Sequence, residues 1–235
     1  GGDITDSGDL DVEGAATFTV DNGQSITLDA TGSDYTGTVT FAASAGNIAS
    51  ITIDDNSALA LGQGSALTIS GNMTVTAGGA LTQANEVIST SGSGTLALNT
   101  ATNNITLNDA ANSFVTLTIT QANDVTYQDT NAIVLGASDI DGTFSLTAGG
   151  AVTQSGALDI EGVTTISASG QNVTLATTTN DFSAAVLVTG QAVQLVDANA
   201  IALGASDVNG TLAVTATAGG DITDSGDLDV EGAAT

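Results

Sequence analysis

The opening of the chain recurs letter for letter near its other end, since residues 1–17 and 219–235 both read GGDITDSGDLDVEGAAT. Residues 1–218 therefore make up one repeat unit, and the second copy is the start of the next. No initiator methionine or targeting segment precedes Gly1, and we expect the chain to be a window on a longer tandem array. Such a chain extends by stacking similar units rather than by enclosing one pocket.

A finer repetition divides the repeat unit into three diverged parts. Residues 25–35, 104–114 and 172–182 align, and each segment closes on one aromatic residue. Leu-Gly pairs also recur, and each leads to a Gly-Gly pair further along the chain. These Gly-Gly pairs are Gly78-Gly79, Gly149-Gly150 and Gly219-Gly220. We therefore predict one continuous segment, residues 1–235, with sub-repeats of about 57–130, 131–198 and 199–235, the last continuing into residues 1–56 of the next unit.

Composition restricts both the fold and the partners. The chain has no Lys, Arg, His, Cys, Pro or Trp, and its 26 acidic residues give a formal charge of −26. Hydrophobic residues make up 41% of the sequence, which is enough to supply an interior, so we expect a folded chain rather than a disordered one. A surface without bases repels phosphate, and we predict no nucleic-acid partner. No apolar run approaches the roughly 18 residues of a spanning helix, so we predict no membrane insertion of this segment.

The apolar residues alternate in short bursts, such as Ile26 and Leu28 or Phe144 and Leu146. A period of two predicts strands, and no stretch carries the i, i+3, i+4 pattern of a helix. Short strands rich in Thr, Val and Ile, punctuated by turn residues and organised as tandem repeats, indicate a solenoid in which each strand stacks on its counterpart. The predicted fold is all-β, a right-handed parallel β-helix (β-solenoid) with no helices. The handedness follows from the general preference for right-handed crossovers.

The stack also predicts dimensions and charge placement. Coils of roughly 20 to 25 residues give nine or ten coils per unit, which is about 45 Å of rod at the usual strand spacing. Alternation sends the acids outward: in residues 9–13, Leu10 and Val12 face one way and the three acids face the other. Two stacked carboxylates repel by about 1 kcal/mol in water, whereas each buried aliphatic side chain contributes about 1.5 to 3 kcal/mol. Burial therefore exceeds the repulsion, and we expect the acids to form a solvated outer ridge.

Two motifs are candidates for calcium. Residues 9–14 place acids at positions one, three and five and glycine at position six of a calcium loop, but position twelve is Val20 instead of Glu, and a strand fits better. The Gly-Gly pairs lack the third glycine and the aspartate of calcium-binding nonapeptides, and tight corners fit them better. We predict no catalytic, cofactor-binding or metal-binding residue. Non-specific or structural Ca²⁺ on the acidic surface remains an alternative.

Two further sets of residues have a structural and a ligand-binding interpretation. Asx residues recur between strands and are expected to bond their own turns, with ligand binding as the alternative. These residues are Asp55-Asn56-Ser57, Asp129-Thr130-Asn131 and Asp197-Ala198-Asn199. The aromatic residues that close the aligned segments are interpreted as plugs of an interior corner, with exposed carbohydrate platforms as the alternative. They are Tyr35, Phe114 and Phe182.

Other functions are weighed against the same residues. Thr-x-Thr triplets at residues 38–40, 74–76 and 116–120 raise ice binding, but they fall in different parts of the sub-repeats and should not form one flat face. Without His, Cys or Lys, the remaining catalytic chemistry is a polysaccharide hydrolase that uses two carboxylates. Duplication multiplies length and surface rather than building one site. We therefore predict that the chain is not an enzyme.

Residues 131–162 and 199–232, with the Asn-Asp-Phe tripeptide at 180–182, carry a resemblance that covers the whole chain. The chain resembles the large repetitive β-helical exoproteins and surface adhesins of bacteria, of the filamentous haemagglutinin-like, two-partner-secreted type. The resemblance implies a secreted, right-handed β-helix displayed at the cell surface as a fibre or adhesin stalk that contacts other cells or glycans. Its remaining partners would be neighbouring repeats and other rods, side by side or end to end.

Overall fold

The computed structural model describes residues 1–62, 67–84, 88–91 and 93–235, and these residues form β-strands and no helix. Within sub-repeat 57–130, residues 63–66, 85–87 and 92 lie outside the described residues. Each strand pairing in the described part of the chain is parallel. The predicted all-β parallel solenoid is confirmed. Its right-handedness stays a prediction.

Two large sheets run the length of the solenoid, with strands numbered in chain order. The first sheet stacks β1 (Ile4–Thr5), β4 (Ile26–Leu28), β7 (Ile51–Asp55), β10 (Met73–Ala77), β13 (Thr95–Asn99), β15 (Thr116–Gln121), β17 (Ile133–Leu135), β20 (Val152–Gln154), β23 (Val173–Leu175), β26 (Val193–Asp197) and β29 (Leu212–Ala216). The second sheet stacks β3 (Ala16–Val20), β6 (Thr38–Ala43), β8 (Leu59–Leu61), β11 (Leu81–Gln83), β14 (Ile105–Leu107), β16 (Val125–Asp129), β19 (Phe144–Ala148), β22 (Thr164–Ser167), β25 (Ala185–Gly190), β27 (Ile201–Leu203) and β30 (Ile222–Asp224).

Short strands form a third side of the coil in four separate groups. The groups are β2 (Asp11–Val12) with β5 (Asp34–Tyr35); β9 (Leu67–Ile69) with β12 (Ile88–Thr90); β18 (Ser138–Ile140) with β21 (Leu158–Ile160) and β24 (Asp181–Phe182); and β28 (Ser206–Val208) with β31 (Leu228–Val230), which joins the second sheet through β25.

Eleven stacked strands in the first sheet correspond to ten turns, in agreement with the nine or ten coils expected. Among the described pairings, the longest turn carries Ile26 to its partner Ile51, and the shortest carries Val186 to its partner Leu203. The coil length expected from the sequence is too long for a few such turns, because only short links join the strands there. Residues 191–192, for example, connect β25 to β26.

Because side chains alternate along a strand, every second strand position faces inward and stacks from coil to coil as an aliphatic column. In the first sheet, for example, Ile26, Ile51, Met73, Leu96 and Leu117 lie one above the other, each at most 1% exposed. The buried apolar residues of all coils form one continuous cluster. Each such side chain contributes about 1.5–3 kcal/mol on burial, so the interior holds the coils together.

The long strand of the coil changes sheets three times along the chain. The strands of four to six residues are β3 and β6 in the second sheet, then β7, β10, β13 and β15 in the first, then β16, β19, β22 and β25 in the second, and finally β26 and β29 in the first. In each coil the opposite sheet has a strand of only two or three residues, and a third-side strand or loop completes the circuit. At each change, which we call a switch, two long strands follow one another: β6 and β7, β15 and β16, β25 and β26.

Sequence-aligned positions consequently alternate between sheets. Leu59 lies in the second sheet, Ile133 in the first and Ile201 in the second again, and all three are buried. Each sub-repeat therefore advances the chain by about three and a half turns instead of a whole number.

Where a long strand faces two short strands, a serine hydroxyl supplies the acceptor for a backbone N–H of the long strand. Ile119 N–H in β15 donates to Ser138 Oγ at 3.2 Å, and Val188 N–H in β25 donates to Ser206 Oγ at 3.0 Å. Each hydroxyl donates in turn to a glycine carbonyl, Gly136 or Gly204. The long strand thus continues past the corner without an unpaired buried N–H.

Thr164 is one buried residue whose polar group is not satisfied in this way. It is 1% exposed, stacks between Phe144 and Val186, and its buried Oγ1 has no hydrogen-bond partner. We expect Thr164→Val to raise the free energy of unfolding by about 1 kcal/mol, because the change removes an unsatisfied hydroxyl and keeps the branched shape. Urea unfolding measures the change. The matched control is Thr165→Val on the outer face, with an expected effect within about 0.5 kcal/mol. A loss of stability in Thr164→Val but not in the control would contradict the assignment.

Candidate functional site

The recurring polar feature of the molecule is a buried aspartate at the end of the second long strand of each switch. Asp55, Asp129 and Asp197 end β7, β16 and β26 and are at most 2% exposed. The prediction that the acids face outward is wrong for these three. Each is the last residue of its strand and lies in phase with the buried residues two and four positions before it, so the alternation of the strand turns its side chain into the coil.

Each of these carboxylates joins two coils. Asp129 Oδ2 accepts from the Phe114 N–H at 2.8 Å, one coil away, and Oδ1 accepts from the Asn131 N–H of its own turn at 2.8 Å. Asp197 makes the same pair of contacts with Phe182 N–H at 2.8 Å and Asn199 N–H at 2.6 Å. We call this arrangement the aspartate clasp, and it confirms that the Asx residues bond their own turns.

The first clasp has the same form with looser geometry. Asp55 Oδ1 accepts from both the Tyr35 N–H at 3.3 Å and the Ser57 N–H at 3.1 Å, and its buried Oδ2 has no partner. In the second clasp the Tyr127 hydroxyl supplies a further hydrogen bond, donated to Asp129 Oδ2 at 3.0 Å. Burial raises the pKa of both Tyr127 and Asp129, even though the hydrogen bonds from Phe114, Asn131 and Tyr127 act to lower that of Asp129.

The aromatic residues whose N–H groups the clasps hold are interior plugs. Tyr35, Phe114 and Phe182 are at most 2% exposed, so they cannot serve as platforms for carbohydrate. The interior interpretation is confirmed.

Glycine pairs form the corner of the coil that stacks on the first and second clasps. Gly78 N–H donates to the Asp55 carbonyl at 2.7 Å and Gly149 N–H to the Asp129 carbonyl at 2.9 Å. A Cβ on the second glycine of either pair would collide with the backbone of the turn beneath. The pairs are therefore tight corners, as predicted. In the third copy Thr217 N–H donates to the Asp197 carbonyl, and Gly220 makes the close approach.

Buried amides form a second bridge that sequence reasoning missed. Asn180 Oδ1 accepts from the Leu158 N–H at 3.1 Å and from Gln154 Nε2 at 2.8 Å, while Asn180 Nδ2 donates to Gln154 Oε1 and to the Val196 carbonyl. Asn112 and Gln83 form the equivalent pair in the second copy. The detectable signal is an Asn two residues before the plug in both copies.

The remaining candidate acids lie on the surface. Asp9, Asp11 and Glu13 are exposed, whereas Leu10 and Val12 pack against the core, as the alternation predicts. Among the described residues no group of three or more Asp or Glu is placed to hold a metal ion. In the same part of the chain no helix is long and apolar enough to cross a membrane.

Exposed and half-buried carboxylates instead stack along the third side of the coil. Asp139, Asp159 and Asp181 lie in register on successive coils, and Asp207 lies in register with Asp229. Burial raises the pKa of Asp159, and the neighbouring charges of Asp181, Asp139 and Asp141 raise it further. The stack therefore opposes folding when it is fully ionised.

Threonines form columns across coils, although the triplets seen in the sequence do not combine into one face. The triplet of residues 38–40 lies on the second sheet and the other two lie on the first, so they do not make one flat face. Outward residues do align in register from coil to coil: Thr5, Thr27, Thr52 and Thr74 on the first sheet, Thr82, Thr106, Thr126 and Ser145 on the second, and Thr153 and Thr174 on the first. We call these three columns the threonine ladders.

The clasp predicts a specific loss of stability in Asp129→Asn. The amide offers one acceptor where two backbone N–H groups and the Tyr127 hydroxyl need acceptors, so we expect the free energy of unfolding to fall by about 2 kcal/mol. Urea unfolding measures the change. Asp139→Asn is the control, because it removes the same charge from an exposed position and should be neutral or slightly stabilising. Equal effects of the two variants would contradict the clasp.

The acid stack predicts stability that rises on acidification. The folded-state pKa values of Asp159 and Asp129 are raised above the unfolded value of about 3.9, so ionisation at neutral pH disfavours the folded state. The penalty disappears as pH falls through the raised values, and we expect the free energy of unfolding to increase between pH 7 and about pH 4.5. Asp159→Asn should flatten that rise. A free energy that falls over this range would contradict the assignment.

Comparison with known proteins adds a family to this geometry. No curated protein and no solved structure matches the chain. Residues 1–42, 45–121, 122–189 and 190–235 match a family described as Repeats of unknown function (DUF5649), and the junctions between the matched segments fall at or beside the three switches. Since the match covers nearly the whole length, the chain belongs to this family of repeats.

Proposed function

We propose that the chain is a structural repeat of a giant secreted fibre or adhesin stalk displayed outside the cell, of the filamentous haemagglutinin-like, two-partner-secreted type. The observation that supports it is the stacking of strand on strand through all three switches, with one uninterrupted core. A rod of this kind lengthens by duplication because each coil contacts only its neighbours.

The contacts of the first coil indicate how one unit continues into the next. Ser25 N–H donates to Asp3 Oδ1 at 2.8 Å, Ala30 N–H to Asp6 Oδ2 at 3.1 Å and Gly32 N–H to Asp9 Oδ1 at 3.2 Å. The duplicated segment carries the same acids, namely Asp221, Asp224 and Asp227, in its last coil. A following coil with the sequence of residues 18–35 can therefore form the same contacts.

A non-catalytic role without a resident cofactor is part of the proposal. The chain lacks His, Cys and Lys, so a base that titrates near neutrality, a thiolate and a Schiff base are absent from it. The buried carboxylates of the second and third aspartate clasps, Asp129 and Asp197, have both oxygens directed at backbone N–H groups.

The charge of −26 bears on partners. Rods of this charge repel one another, so side-by-side or end-to-end association requires cations between the acid stacks. The partners proposed are neighbouring repeats of the same chain and a cell surface or glycan without strong negative charge. The threonine ladders keep ice or carbohydrate binding as a second candidate, and thermal hysteresis of the purified chain tests its ice-binding form.

The length of particles that contain different numbers of repeat units tests the proposed rod. Chains of one, two and three repeat units should appear in electron micrographs as rods that gain about 50 Å per unit, because ten and a half turns are stacked at about 4.8 Å. Antibodies against the repeat should label intact producing cells. Saturable binding of the three-unit rod to cells separates an adhesive stalk from a plain scaffold. Globular particles, or labelling only after cell lysis, would overturn the proposal.

A further inference from the structure

The switches act as half-turns about the solenoid axis. At a switch the long strand passes from one large sheet to the other, and the short strands of the third side move to the opposite edge of the coil. The same sequence position therefore faces opposite sides of the rod in consecutive sub-repeats. Leu59, Ile133 and Ile201 show it in the core, and the threonine ladders show it on the surface.

One repeat unit contains three switches, and an odd number of half-turns does not return the chain to its starting side. The duplicated segment records the outcome directly. Ile4 pairs with Ile26 in the first sheet, whereas the identical Ile222 pairs with Ile201 in the second. Ala16 lies in the second sheet, whereas the identical Ala234 bridges to Leu212 of the first.

We infer that successive repeat units are rotated by half a turn about the axis, so that the array repeats only after two units, about 100 Å. Identical segments placed on opposite sheets at the two ends of one continuous solenoid carry this inference. It rests on the tandem array of the proposed function but not on where the fibre is displayed.

The rotation decides what the array offers to a partner. The ladder that begins at Thr5 lies on the first sheet, and the ladder of the following unit begins at Thr223 on the second sheet. A molecule that recognises a given surface of the unit meets it on one side of the rod only at every second unit. A long array presents each surface on both sides, so it can bridge two partners.

Two distances within this chain test the rotation. Thr126 lies on the second sheet about midway along the rod, roughly five coils from Thr5 and five coils from Thr223. The chain has no cysteine, so a thiol-reactive spin label attaches only at cysteines that are introduced. One double variant carries Thr5→Cys and Thr126→Cys, and the other carries Thr126→Cys and Thr223→Cys. Pulsed electron–electron double resonance on the full chain then compares two pairs with nearly equal axial separations.

We expect roughly 25 Å for the second pair, which lies along one side, and more than roughly 30 Å for the first pair. The first distance is longer because the labels project from opposite sheets, which are themselves about 10 Å apart. Equal distances would overturn the inference and leave the proposed rod intact. If the last coil unfolds locally, a chain extended after Thr235 by a further copy of residues 18–57 covers that coil. The same two distances, measured in the extended chain, then test the rotation.

Discussion

Each coil of this solenoid is held by the coils directly before and after it, through a ladder of parallel backbone hydrogen bonds and a column of stacked aliphatic side chains. Ile26, Ile51 and Met73 are typical, because each one closes the apolar interior of its neighbour. A flaw in one coil therefore affects only the adjacent coils, and a chain with this property can lengthen without redesign. The tandem organisation of the sequence follows from that locality.

The aspartate clasps and buried amides act at the switches, where the regular hydrogen-bond ladder between neighbouring coils is interrupted. At a switch two long strands follow one another, and the backbone at the corner would leave N–H groups unpaired inside the coil. Asp129 and Asp197 satisfy one such group on the neighbouring coil and one on their own turn, and Asn180 spans the adjacent corner. A carboxylate is buried there at some expense, as the raised pKa of Asp129 shows, because an unpaired backbone group would be worse.

The surface follows a different logic from the corners. Acid stacks such as Asp139, Asp159 and Asp181 add repulsion on every coil, yet water and counterions weaken it while the interior columns remain dry. The charge of −26 per segment adds a repulsion between neighbouring rods that cations would screen.

The sequence alone determined the class of fold, the approximate number of coils and the inward direction of Tyr35, Phe114 and Phe182. Period-two alternation and duplication are local signals, and burial follows from them directly. The inward direction of Asp55, Asp129 and Asp197 was missed from the sequence. Alternation places each of them in phase with the buried residues of its own strand, but a carboxylate is expected to face water, and the backbone N–H groups that satisfy it lie on another coil. The sequence also did not reveal that Ile4 and Ile222, within identical segments, lie on different sheets. Only the tertiary structure decided that, because the sheet a segment joins depends on the summed lengths of all preceding turns, which differ from coil to coil, and no local pattern contains that sum.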